Sequence, residues 1–437
     1  MEQLPQTLQD AVAITRRLQI RYLWIDALCI IQDSASDWAE QAGQMAAIYQ
    51  NAFLTIAAAQ SPSTAAGIFN AADPSERALR IPLPTGAHIP VWAREKIPHP
   101  ELFKQVPNTS ATAQLERFPL LSRAWCFQEY LLSPRVLHFG PRELLWTCNE
   151  AYRCECFVDE VPGPWGRMEN THFKYKLHNP QSLPGVDLQA QVVAQWHDVV
   201  RIYTSLRLTY GADRLPALSG LARFFEQKRR GERYLAGLWK DSLLVDLCWY
   251  SGEPGARPEK YQAPTWSWAS VDVCAQCTFY PRLFQPMHML CTLEEALCVP
   301  AGKDPTGQVT SGTIVLAGRL VPGVVDAAAA KPGRSNIVLD GEVFMFFLDC
   351  EARKCGIFDG CAAFVLPLID QVDETDARPV RSRYCLILRK STTEKDTYER
   401  IGFQEFTIRE SVLRDRDAAR NGIWSLERQQ DTRIVLV

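Results

Sequence analysis

The stretch RYLWIDALCIIQD, residues 21–33, decides how the N-terminal part of the chain is read. A short apolar run reaches an acid at Asp26, continues through Leu28, Cys29, Ile30 and Ile31, and closes on Asp33. Apolar residues this dense predict a strand over residues 21–26 buried on both faces, as in a parallel sheet covered by helices. Ligand sites of open α/β sheets gather beyond the carboxyl ends of such strands, which makes Asp26 a candidate site residue. The alternative is local: Asp26 caps the turn that follows.

Working outward, Leu8, Ala11, Val12, Thr15 and Leu18 repeat at helical spacing, and Thr7 with Asp10 matches a helix-capping pattern. Downstream, a second helix is expected from near Asp37, with Trp38, Ala42, Met45, Ile48, Tyr49 and Ala52 on one face, and FLTIAA (53–58) reads as a strand. Helix, strand, helix, strand with short links favours an α/β domain with a parallel sheet. In PLLSRAWCFQEYLLSPRVLHFG (119–140), Ser122 is the expected N-cap of a third helix that Pro134 stops, and RVLHFG and ELLWTC read as two strands.

Residues 1–157 are therefore expected to form the α/β domain, and the Pro-, Gly- and Asn-rich segment 158–188 a linker or long loop. Residues 189–262 read as a helical region, including a helix over 234–250. Residues 263–437 read as β-rich, with TWSWASVD, EVFMFFLDC, AAFVLPLI and YCLILR as short strands.

The 437 residues are 47% hydrophobic and 22% charged, with a formal net charge of −3. That balance gives no pull toward nucleic acid. No apolar run approaches the roughly 20 residues that span a bilayer, so no membrane span is expected. The N-terminus lacks the basic and apolar regions of a secretory signal, so the 14 cysteines read as buried thiols of a cytoplasmic protein. Cys274, Cys277, His288 and Cys291 are of zinc-ligand type, but their spacing fits no common finger, and no metal site is assigned. Phosphate-loop, GxSxG, HExxH and GxGxxG patterns are absent.

Three blocks, RYLWIDALCIIQD, DWAEQAGQMAAIYQNAFLTIAA and LLSRAWCFQEYLLSPRVLHF, closely resemble the signatures of the fungal heterokaryon-incompatibility (HET) domain. LRLTYGADRLPALSGLA, YLAGLW, APTWSWASV and YERIGFQEF are similar to segments that follow this domain in many HET proteins. The resemblance implies an intracellular fungal protein of allorecognition and programmed cell death. It also implies a TIR-like, flavodoxin-like sheet, whose catalytic members cleave NAD with a glutamate. Two departures stand out. The family usually carries an upstream strand block of Ser-Tyr-x-Trp-Gly type, and this chain opens after it. The usual glutamate three residues beyond the helical tryptophan is Gln41 here, with Glu40 one residue earlier.

The candidate catalytic residues are Asp26, Glu40 and Glu129. The candidate ligand-binding residues are Trp24, Cys29, Asp33, Trp38, Arg123, Trp125, Gln128 and Arg135. Trp125, Gln128 and Glu129 share a helix face, and Arg123 near that helix N-terminus suits an anion. The competing readings are structural: Cys29 as a core residue, Asp33 as a cap, Glu40 as a helix-dipole acid, and Glu129 locked to an arginine. The expected function is non-self recognition through self-association, contact with other incompatibility proteins, or ligand-triggered switching. The alternatives are an NAD hydrolase, a tailoring enzyme of fungal secondary metabolism, and an inactive shortened homologue.

Overall fold

A computed structural model describes residues 3–69, 77–93, 118–155, 173–179, 187–272, 277–327, 333–352, 355–373, 379–409, 423 and 430–437. These fall into two compact units, Met1–Gln181 and Ser182–Val437. Most of the expected linker 158–188, and Cys274, lie outside the described residues.

The first unit contains α1 (Gln6–Arg17), α2 (Asp26–Cys29), α3 (Ala35–Gln50), β1 (Thr55–Ala57), the hairpin β2 (Arg77–Pro82) and β3 (His88–Ala93), α4 (Ala124–Leu132), β4 (Arg135–Phe139), β5 (Leu144–Cys148), β6 (Tyr152–Cys154) and α5 (Phe173–His178). Its main sheet has the order β1-β4-β5-β6. Only β1 and β4 run parallel, with Thr55 opposite Val136, and the other pairs are antiparallel.

The expected flavodoxin-like parallel sheet is therefore not the fold. Residues 21–25 form no strand, and Asp26 opens the short helix α2 instead. The apolar run divides its residues between two environments. Leu23 and Ile25 pack with Ile56 and Leu137 onto Ala11, Ile14, Ile68 and Phe139. Tyr22, Leu28 and Ile31 point to solvent. High apolar density implied two buried faces, but Leu23, Trp24 and Ile25 are only half-buried and Ile30 alone in the run is buried.

Local capping also differs from expectation. Thr7 does not cap α1, whose N-cap is Pro5. Asp10 instead accepts from the Ile68 amide at 2.8 Å and so ties α1 to the segment that follows β1. Ser34, not Asp33, caps α3, and Asp37 accepts from the Ile31 amide at 2.8 Å. Ser122 closes a 3-10 turn onto the Pro119 carbonyl, and the N-cap position of α4 falls to Arg123, whose side chain makes no capping hydrogen bond. Pro134 separates α4 from β4 as expected.

The second unit begins with α6 (Leu188–Thr204) and α7 (Ser219–Lys228). It continues through β7 (Tyr234–Leu235), β8 (Leu238–Trp239), α8 (Leu243–Asp246), β9 (Trp249–Ser251) and β10 (Cys277–Phe279). The helix expected over 234–250 is mostly absent, because YLAGLW is a tight hairpin. Ala236 and Gly237 take φ of 46° and 102°, the left-handed pair such a two-residue turn requires. A side chain at Gly237 would also overlap Trp268. Trp196 of α6 packs its fully buried ring against Phe225, Tyr234 and Trp239. Such aromatics bury about 150–250 Å² each and dominate a core. TWSWASVD is likewise not a strand: Trp266 and Trp268 are buried around a 3-10 turn, Trp268–Ser270.

From there the chain is β-rich: β11 (Met287–Met289), β12 (Thr292–Pro300), β13 (Val309–Gly318), β14 (Val321–Asp326), β15 (Arg334–Leu339), β16 (Glu342–Leu348), β17 (Ala362–Asp373), β18 (Val380–Lys390), β19 (Tyr398–Arg409) and β20 (Thr432–Leu436). They join one ten-stranded sheet. Six of its strands close on themselves in the order β14-β15-β16-β19-β18-β17, each pair antiparallel. Closure removes the edges that open sheets expose. Gly402 permits it, since a Cβ there would overlap the Phe347 carbonyl oxygen across the β16–β19 seam.

Candidate functional site

α3 and α4 of the first unit bring a cluster of titratable groups together. Cys126 and Glu129 lie three residues apart on one face of α4. Tyr49 comes from the last turn of α3, and its hydroxyl and the Cys126 thiol both neighbour the Glu129 carboxyl. Asp26 at the start of α2 and Arg123 at the start of α4 add opposite charges.

The electrostatics rank these effects. Burial pushes the Glu129 carboxyl up to about 7, the Asp26 charge pushes the same way, and Tyr49, Arg123 and Cys126 oppose it more weakly. An arginine lock would have left the carboxyl low, so Glu129 is not held mainly by an ion pair. The residue keeps part of its surface open. Its raised value therefore follows dense packing around the carboxyl, not full removal from water. Burial, reinforced by the Glu129 charge, also raises the Tyr49 hydroxyl and the Cys126 thiol well above their ordinary values.

Aromatic rings stand beside the cluster. Trp24 meets Tyr49 edge-on at 5.8 Å, and Trp38 meets Trp125 edge-on at 6.2 Å. Trp38 remains 40% exposed, so its face is open to a ligand. Gln128 is buried on α4.

Four sequence candidates stand apart. Glu40 is exposed on α3, nine residues from Tyr49 and hence about 180° around the helix. Cys29 is exposed on α2, not in the core. Asp33 is exposed in the turn before α3, whose capping falls to Ser34. Arg135 donates from Nε to the Phe53 carbonyl at 2.8 Å and stacks 5.3 Å over the Phe53 ring.

Tyr49 and Cys126 were not sequence candidates. Both sit at core spacing on their helices, and the only signal was the three-residue step from Cys126 to Glu129.

The C-terminal end of α4 is fixed by three contacts. Its last carbonyls lack intrahelical partners and need others. Ser133 Oγ donates to Glu129 O at 2.6 Å, Lys174 Nζ to Tyr130 O at 2.7 Å, and His178 Nε2 bonds Leu131 O at 2.9 Å. Lys174 also donates to Ser133 O and lies 4.9 Å over the Tyr130 ring. Burial lowers its ammonium to about 7 from an ordinary 10.5. Between those values the unfolded chain binds the extra proton, so stability rises with pH across that window. Lys174→Met is expected to abolish the rise, about 2–4 kcal/mol over the interval. Urea unfolding of parent and variant at neutral and alkaline pH checks this, and an equal slope in both would contradict it.

Among the described residues, no group of three or more His, Cys, Asp or Glu side chains could hold a metal ion, and no helix is long and apolar enough to cross a membrane.

Residues 1–129 match the family model described as Heterokaryon incompatibility protein (HET). The match ends on Glu129. No curated protein and no solved structure matches the chain.

Proposed function

We propose that the chain is a heterokaryon-incompatibility protein of fungal non-self recognition and programmed cell death, switched by a small ligand at the Glu129 cluster of its N-terminal unit. The observation that carries this reading is a carboxyl poised at about 7 beside Asp26, Arg123 and Tyr49. A carboxyl tuned to neutrality can take or give a proton at the pH of the cytoplasm, where we place the protein. Trp24, Trp38 and Trp125 offer faces for a flat ring and Arg123 a partner for an anion, which together suit a nucleotide-type ligand. Exposed Tyr22, Leu28 and Ile31 supply an apolar surface for self-association once the switch is made.

Expression in a fungal host tests the reading. Glu129→Gln and Asp26→Asn should accumulate like the parent and fail to kill. Killing at the parental rate by both variants would overturn it.

A second reading keeps the same residues and makes the protein an enzyme. The nearness of the Tyr49 hydroxyl to the Glu129 carboxyl favours it, because it sets a proton donor beside a carboxyl able to act as base. The substrate would be NAD or an intermediate of secondary metabolism. Nicotinamide release from NAD by the purified chain, lost in Glu129→Gln, would establish the first of these.

A further inference from the structure

The second unit holds a cavity of about 420 Å³ between α6 and the segment from β10 to residue 285. That volume is within the range of small-molecule sites, and Phe279, Pro281, Leu283 and Phe284 give it apolar walls. Its polar groups are arranged for a ligand.

His197 forms part of the wall. Its Nε2 bonds the fully buried Asp246 Oδ1 at 2.7 Å, while Asp246 Oδ2 accepts from the Trp239 amide at 2.9 Å. The imidazole also stacks on Phe279 with centroids 3.8 Å apart. Asp246 makes Nε2 the protonated nitrogen, so Nδ1 is left as an acceptor. Nδ1 has no hydrogen-bond partner among the described residues.

A second acceptor lies across the cavity. Gln285 Oε1 is buried and has no partner among the described residues. A buried acceptor left unpaired is costly, and a ligand donor would satisfy it.

Two arginines complete the lining. Arg201 gives one Nη2 to Asp198 at 2.9 Å, and Arg282 gives one Nη1 to Asp373. Guanidinium carries five N–H donors, so both retain capacity for an anion. The Arg282 side chain is 62% exposed at the rim.

The loop is set in advance. Gln371 of β17 accepts from the Arg282 amide at 3.0 Å and donates to the carbonyls of Arg282 at 2.9 Å and Gln285 at 3.3 Å. A fixed loop loses little entropy on binding.

We propose that this cavity binds a small organic anion with an apolar body and a hydroxyl or N–H donor, its charge held by Arg282 and Arg201 and its donor by Gln285 and His197. The site lies in a different unit from the Glu129 cluster and does not depend on it.

Calorimetric titration of the full chain with 4-hydroxyphenylacetate and 4-hydroxyphenyl phosphate tests the proposal and separates a carboxylate from a phosphate preference. Saturable binding of at least one is expected. The neutral 4-hydroxyphenethyl alcohol should bind about tenfold more weakly, as should the preferred anion to Arg282→Ala. Removal of the ligand's donor, as in phenylacetate or phenyl phosphate, should weaken parent binding but leave Gln285→Leu little changed. Arg282 is a rim residue, so its variant should fold. No saturable binding of either anion, or binding that neither Arg282→Ala nor Gln285→Leu alters, overturns the proposal.

Discussion

Glu129→Gln is expected to make the N-terminal unit more stable above neutral pH while abolishing its biological effect. The sign follows from linkage. The unfolded carboxyl loses its proton near 4.5, but the folded one keeps it to about 7. Between those values the folded chain binds more protons, so parent stability falls as pH rises through the window. Glutamine carries no such proton and keeps the side-chain volume. The full shift would be worth about 3 kcal/mol, and the residue's partial exposure reduces the expected gain to about 1–2 kcal/mol at pH 8. At pH 4.5 parent and variant should unfold at nearly the same urea concentration. A gain in stability with a loss of function marks a residue kept for its chemistry. A loss of stability at pH 8 would instead make Glu129 part of a structural network, and the switch and enzyme readings would both fail.

The longer helices of the first unit were readable because they bury residues at regular spacing, as with Ala42 and Met45 on α3. The strand at residues 21–26 was not. Leu23 and Ile25 share the α1 core, while Leu28 and Ile31 are exposed, and composition alone does not distinguish that division from burial on both faces.

The long barrel strands were also readable, as AAFVLPLI and YCLILR. Their closure was not, because the seam pairs Phe347 of β16 with Phe403 of β19, two strands separated in the sequence by β17 and β18. At the site, Asp26, named for the end of the expected strand, and Arg123 and Glu129, named from the α4 spacing, lie in one cluster. Tyr49 was missed because a tyrosine at core spacing looks like packing until a carboxyl is found beside it. Glu40 lies apart from that cluster, because its position in the family block says nothing about which side of α3 it occupies.

The largest loss of stability is expected in the second unit, from Arg400→Met. Arg400 lies in YERIGFQEF, the last of the blocks that resemble HET proteins, and has no exposed surface. Its guanidinium spans Asp349 with Nε at 2.9 Å and Nη2 at 3.1 Å, donates from Nη1 to Leu247 O at 2.7 Å and from Nη2 to Trp249 O, and stacks 3.6 Å over the Trp249 ring. One side chain thus ties β19 to the chain before β9 and to the residue after β16. Burial already raises the Asp349 carboxyl against the pull of Arg400. With the arginine gone, that carboxyl would be buried without its charge partner, and two carbonyls would lose donors. Breaking such a pair costs about 3–5 kcal/mol. The loss should shrink as pH falls, because Asp349 can then take a proton and enter the core neutral. Asp349→Asn combined with Arg400→Met should recover part of the loss at neutral pH, since it removes the stranded charge. Hydrogen exchange of the peptide covering residues 398–406 provides a local readout, with protection falling most in Arg400→Met. Equal destabilisation of Arg400→Met at acid and neutral pH would mean that the lost carbonyl contacts, not the stranded carboxylate, dominate.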